Sequence, residues 1–179
     1  PGLIDDHVHM ATPPDAAQAR GVLRRQLYSG VTAVRDMADD LRSVAELARE
    51  ARTGEIPAPD IHFAALMAGP SFFDDPRTGA AAQGYAPGTA PWMQAVTPET
   101  DMPLAIAMAR GTGADAVKIY ANLDGAMVRR IAEEAHRQGL KVWSHGMVFP
   151  ATPQEVLDAR PDVVSHTCYL AYQLNAKKP

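Results

Sequence analysis

Cysteine is almost missing from this chain. Cys168 stands alone, which excludes an intrachain disulfide and any paired-cysteine metal knuckle, so a metal would have to rest on histidine, carboxylate or a modified lysine. Positive charge is also scarce: 17 Lys and Arg face 21 Asp and Glu, a net charge of -4. That balance disfavours a nucleic-acid partner. The basic pairs Arg24-Arg25 and Arg129-Arg130 fall inside helical patterns, where they read as solvated faces. No apolar run is long enough to span a bilayer, so no membrane partner is expected. No GxGxxG turn follows the first apolar segment, which weakens a dinucleotide-binding reading. An initiator Met is absent as well. The N-terminus looks cut, and a signal peptide lost upstream would leave the compartment open, with the cytoplasm only slightly favoured.

What is present is enough apolar material for one soluble globular domain over residues 1–179, with 46% hydrophobic and 21% charged residues. The chain opens Pro1-Gly2-Leu3-Ile4-Asp5-Asp6-His7-Val8-His9. In an extended strand, residues i and i+2 share a face, so His7 and His9 point the same way. Two imidazoles converging at a strand end can hold one divalent metal, although a solvent-facing histidine pair would give the same local pattern.

Helical and strand periodicities then alternate. Residues 15–29, 41–52, 125–136 and 153–159 read as helices, with another running to about 110 from Pro103 in its first turn. Residues 31–36, 61–66, 116–120, 140–145 and 162–166 read as strands, and 69–97 as a long loop rich in Gly and Pro that could serve as a lid. Six strands alternating with helices predict parallel βα units in an α/β fold, either an open doubly wound sheet or a (β/α)8 TIM-type barrel. The barrel gains weight because His7, His9, Lys118, His145 and His166 all fall at C-terminal strand ends, where barrel active sites are built. A complete barrel needs about 250 residues. The expectation is therefore a partial barrel, with strands one to six present and strands seven and eight missing.

Lys118 interrupts the apolar strand Ala116-Val117-Lys118-Ile119-Tyr120. Burying an unpaired ammonium is costly, and burial lowers a lysine pKa, so a neutral amine there could take up carbon dioxide to form a carbamate, an anionic ligand able to bridge two metals. A lysine paired with a carboxylate on a neighbouring strand fits the same sequence.

In order along the chain, PGLIDDHVH, GVTAVRDM, ADAVKIY, VWSHG and VVSHT resemble the metal-dependent amidohydrolase superfamily, nearest its imidazolonepropionase-like and Xaa-Pro dipeptidase-like branch. The resemblance spans nearly the whole chain. It implies a hydrolase of carbon–nitrogen bonds in small molecules, with two divalent metal ions, of which zinc is the expected one, and carbon dioxide for carboxylation of Lys118. His7 and His9 would hold one metal, His145 and His166 the other, and carboxylated Lys118 would bridge them. His145, His166 and Lys118 thus form the expected catalytic group around a metal-bridging hydroxide. The superfamily's strand-eight aspartate and its flanking β-sandwich have no counterpart in these residues, so a fragment that is itself inactive or impaired is expected. The unpaired edges of strands one and six would invite association, including homo-oligomers.

Departures from the superfamily pattern concern substrate. Where peptidase-like relatives often carry Gly-Gly-His after strand three, this chain has Ala68-Gly69-Pro70-Ser71-Phe72-Phe73. Tyr120 and Tyr169 could touch substrate, and Asp36 is the best candidate for a carboxylate behind a metal-bound histidine. His136, near a helix C-terminus, and His62, near a strand start, read as structural. Two other readings stay open: a mononuclear imidazolonepropionase-like or deaminase-like hydrolase, which would have no need of Lys118, and a truncated metal-binding domain without catalysis.

Overall fold

The computed structural model describes residues 1–12 and 14–174. Six parallel strands form one continuous sheet in sequence order: β1 (Leu3–Val8), β2 (Val31–Asp36), β3 (Asp60–Ala68), β4 (Ala116–Ile119), β5 (Lys141–His145) and β6 (Val163–Ser165). The sheet curves into a nearly closed barrel shape, a partial TIM-type barrel. At the C-terminal mouth the two outer strands converge, with the ring of His7 near the end of β1 lying 4.7 Å from that of His166 just after β6. The same outer strand β1 leaves Leu3 and Ile4 66% and 70% exposed, apolar side chains with no layer over them.

Helices α1 (Ala16–Tyr28), α2 (Leu41–Thr53), α3 (Pro76–Ala81), α4 (Met102–Gly111), α5 (Gly125–Arg137) and α6 (Pro153–Asp158) connect the strands. Local chemistry explains where they start. Asp15, Asp40, Asp75, Asp101 and Asp124 each accept a backbone N–H of the first turn, and Thr152 forms a capping box with Glu155. Gly54 ends α2 in the left-handed conformation, which L side chains rarely adopt. Leu41, Val44, Leu47 and Ala48 on α2, and Val128, Ile131, Ala132 and Ala135 on α5, recur at helical spacing and are buried against the sheet. Among the described residues, no helix is long and apolar enough to cross a membrane.

The barrel interior is packed separately from the helix layer. Met37, Ala64, Ala116 and Trp143 form their own cluster. The two alanines make room for the indole, and the Arg35 guanidinium lies 5.0 Å from its ring centre.

The segment after β3 differs from the expected loop. It contains a 3-10 turn (Pro70–Asp74), helix α3 and a two-stranded ribbon (Thr89–Ala90 and Met93–Ala95). The reason is β3 itself, which is longer than its apolar run suggests. β2 pairs with its first half, from Asp60 to Phe63, and the ribbon strand adds in parallel to Leu66, Met67 and Ala68 beyond the end of β2. Because one ribbon edge is satisfied by β3, this stretch is a built wall of the barrel mouth.

Candidate active site

Register places the site. In-register residues of parallel strands share a face, and Lys118 on β4 pairs with Leu66 on β3 and Trp143 on β5, while Leu66 also pairs with Met93 of the ribbon. Lys118 therefore points into the barrel, 1% exposed. Among the described residues its Nζ has no hydrogen-bond partner, so the carboxylate-paired lysine that the sequence left open is not what forms. Burial, reinforced by the Arg35 guanidinium and opposed by Asp6, pulls its pKa down to about 7. Arg35 itself pairs with Asp6 at 3.1 Å.

Three imidazoles gather above that amine. His7 contacts His166 at 4.7 Å, and His145 contacts His166 at 4.6 Å, between ring centres. Desolvation first, then the Lys118 charge, lowers all three pKa values, His7 and His145 to about 4. Neutral imidazoles present lone pairs. The Nδ1–H of His145 donates to the Met147 carbonyl at 3.0 Å, which leaves Nε2 as the free acceptor. His166 sits at φ +57°, in the left-handed region where a non-glycine residue is strained. Gly146 permits this close approach: its N–H donates to the Ser165 carbonyl at 3.0 Å, and a Cβ there would lie 3.1 Å from the same oxygen.

His9 stands slightly apart, 5.4 Å from His7 between ring centres, with half of its side chain exposed. Behind it lies a buried acid pair. His9 Nδ1 is 3.6 Å from Asp39 Oδ1, longer than a good hydrogen bond. Asp39 also accepts from the Ala11 N–H and the Thr12 hydroxyl, each at 2.5 Å. Asp36 accepts from the Met10 and Ala38 N–H groups at 3.2 and 3.4 Å. Burial and then the neighbouring Asp39 push the Asp36 carboxyl well above the usual range, and the two carboxyls share a hydrogen bond. Burial opposes ionisation of Asp39 most strongly, but the nearby His9 and the hydrogen bonds with Asp36, Thr12 and Ala11 outweigh it and lower its pKa.

The carboxylate facing a histidine is thus Asp39, where the sequence favoured Asp36. Asp36 acts through Asp39 and the backbone after β1. The run Asp36-Met37-Ala38-Asp39-Asp40 carried a signal, since only one of its acids is needed to cap α2, and that one is Asp40. Arg35 was also missed, for its neighbours in sequence reveal nothing of the Trp143 ring across the barrel.

A cavity of about 460 Å³ opens at this end of the barrel, with His7, His9, Lys118, Tyr120 and Asp39 in its wall. His145 and His166 flank it through ring contacts with Tyr120 and His7. Tyr120 lies 5.1 Å and Tyr169 5.4 Å from the His145 ring, the latter stacked. His136 and His62 lie elsewhere. His136 bonds Asp162 at 2.9 Å and His62 faces Asp115 at 3.3 Å, and both serve to hold chain segments together.

The donor set has the chemistry of a divalent-metal site: lone pairs on neutral imidazoles, an orphaned buried amine, and a carboxylate behind one ring. Among the described residues, no group of three or more His, Cys, Asp or Glu side chains stands in a chelating arrangement.

No protein-family model matches the chain, and no curated protein sequence does either. Solved structures do. A protein from Bifidobacterium longum described as a prolidase matches with TM-score 0.68 and 28% identity, over 92% of this chain and 39% of that one. A Xaa-Pro dipeptidase with bound methionine matches with TM-score 0.71 and 22% identity, over 92% of this chain and 47% of that one. The A. niger ochratoxinase matches with TM-score 0.67 and 20% identity, over 92% of this chain and 46% of that one. The chain spans less than half the length of each. These neighbours bear out the resemblance to amidohydrolase-superfamily hydrolases.

Proposed function

We propose that these residues carry most of the active site of a metal-dependent hydrolase that cleaves carbon–nitrogen bonds of small amide, dipeptide or cyclic-amide substrates. The observation that carries this reading is the buried, unpartnered Lys118 amine facing three neutral imidazoles at the mouth of the barrel. His7 and His9 would hold one divalent ion, His145 and His166 a second, with Lys118 contributing to both. Bound zinc would supply Lewis acidity at the scissile carbonyl and a water acidified toward neutrality.

The chain's own groups are prepared for this. With a pKa of about 7, a large fraction of Lys118 is neutral near pH 7. Its nitrogen lone pair can then attack the carbon of carbon dioxide, releasing one proton and leaving a carbamate. Arg35, whose positive charge disfavours the ammonium, favours that anion. The Met147 carbonyl fixes the tautomer of His145, and Asp39 faces the far nitrogen of His9. Tyr120 lines the cavity where the carbonyl would lie. A mononuclear site would leave Lys118 without a purpose.

The test is hydrolysis of a panel of amides and dipeptides by the full-length protein, before and after chelation and zinc return. Activity lost to the chelator, restored by zinc and absent in Lys118→Ala supports the reading. Activity indifferent to both chelator and Lys118 overturns it.

A further inference from the structure

The cavity does not end at the histidines. Its wall continues onto apolar side chains of β3, of the turn after β2 and of the segment after β3. We propose that this lobe, walled by Met37, Leu66, Phe72, Ala80, Ala81 and Met93, binds an uncharged aliphatic or aromatic group next to the scissile bond. The substrate is then an amide with a bulky apolar substituent. This rests on the hydrolase reading and names its substrate class.

Charge decides between apolar and ionic occupants. Besides Lys118, Arg77 is the one cation of the lining, and its guanidinium is paired with Asp75, with Nε at 3.0 Å from both carboxylate oxygens and Nη2 at 2.5 Å from one. Asp39, the one carboxylate of the lining, is held by Ala11, Thr12 and Asp36. The remaining charged group of the lining is Lys118, which the hydrolase reading assigns to the metals, so a substrate cation or carboxylate set against the apolar wall would find no counter-charge left to pair with it and would lose its water. An apolar group loses nothing there, and the two methionines adapt to its shape.

The wall of the lobe is also braced by contacts to the rest of the fold. Gly69 sits so close to the Asn122 carbonyl oxygen that any Cβ would overlap it, which pins the start of the segment. The Trp92 indole N–H donates to the Ala81 carbonyl at 2.8 Å, and Arg42 covers that indole with its guanidinium 4.8 Å from the ring centre while bonding Asp40 and the Gln83 carbonyl. Phe72 packs on Tyr120 with ring centres 4.8 Å apart, linking the lobe to the reaction centre.

The experiment is a titration of full-length protein labelled with 13C at the methionine methyls. The probes are 4-methylpentanamide, 5-aminopentanamide and glutaramate, whose far ends are apolar, cationic and anionic. The Met37 and Met93 methyl signals, assigned from Met37→Leu and Met93→Leu, should shift saturably with 4-methylpentanamide, which should bind about ten-fold or more tighter than either charged probe. Ala80→Phe, filling the lobe, should abolish the shift. If that variant fails to fold, Phe72→Ala should weaken 4-methylpentanamide several-fold.

Equal binding of a charged probe, no binding of any probe, or shifts that spare Met37 and Met93 would overturn the proposal. The two readings fail separately. Binding as described without hydrolysis of any amide would sink the hydrolase and keep the subsite, whereas hydrolysis that favours charged amides would sink the subsite and keep the hydrolase.

Discussion

Two buried charged groups sit within the same barrel mouth and are treated in opposite ways. Asp36 and Asp39 are enclosed but satisfied, with backbone amides, a hydroxyl and each other as partners. Lys118 is enclosed and has no hydrogen-bond partner among the described residues. A buried polar group with partners strengthens a fold, and one without partners weakens it. The acid pair therefore reads as architecture that fixes the loop after β1 and the back of His9. The lysine reads as a group kept in an unfavourable state because its reactivity is needed.

The largest effect expected from this contrast comes from Lys118→Met. Activity should fall by about a thousand-fold, roughly 4 kcal/mol in barrier, while urea unfolding shows stability unchanged or raised by about 1 kcal/mol. A clear loss of stability would mean that the lysine has a structural partner after all. The acid pair should behave in reverse. Asp36→Ala strands the Met10 and Ala38 amides and one side of Asp39, and should cost about 3 kcal/mol in the same unfolding experiment.

Asp39→Asn keeps most of the hydrogen-bond geometry but removes the charge behind His9. It should weaken zinc binding about ten-fold, read by competition with a chelating dye, with a smaller stability loss than Asp36→Ala. Zinc affinity unchanged by the substitution would remove Asp39 from the site.

Asp162, partly exposed beside His136 and Lys141, gives the baseline of an ordinary surface acid. Burial opposes its ionisation most strongly of any single cause, but the Val142 amide, His136 and Lys141 together outweigh it and lower its pKa below the usual value near 3.8. A lowered carboxylate pKa stabilises the fold above the unfolded-state value, and this contribution disappears as pH falls through the folded-state value. Asp162→Asn should therefore be less stable than the parent by under about 1 kcal/mol at pH 6, with the gap closing below pH 4. A gap that does not narrow as pH falls from about 4 to about 2 would contradict this assignment.

Much of the fold was legible because strand and helix periods alternate cleanly and each helix begins on a capping residue. His7, His9, Lys118, His145 and His166 could be placed at strand ends for the same reason, since a βα repeat fixes which end of each strand faces the mouth. What stayed hidden depends on contacts across the barrel. Gly- and Pro-rich sequence between Gly69 and Thr97 signals breaks, but says nothing of the free β3 edge that turns Met93–Ala95 into a strand. The choice of Asp39 over Asp36 behind His9 follows from how the chain turns after β2, a backbone path that no spacing rule encodes. Arg35 over Trp143 joins residues more than a hundred positions apart.

The central claim is that Lys118 is kept unpartnered to become a metal ligand. Metal content of the full-length protein, purified with bicarbonate and zinc and measured by inductively coupled plasma mass spectrometry beside Lys118→Ala, tests it most directly. The account predicts about two zinc ions per chain, falling to one or fewer in the variant. Equal metal content in both proteins would contradict it.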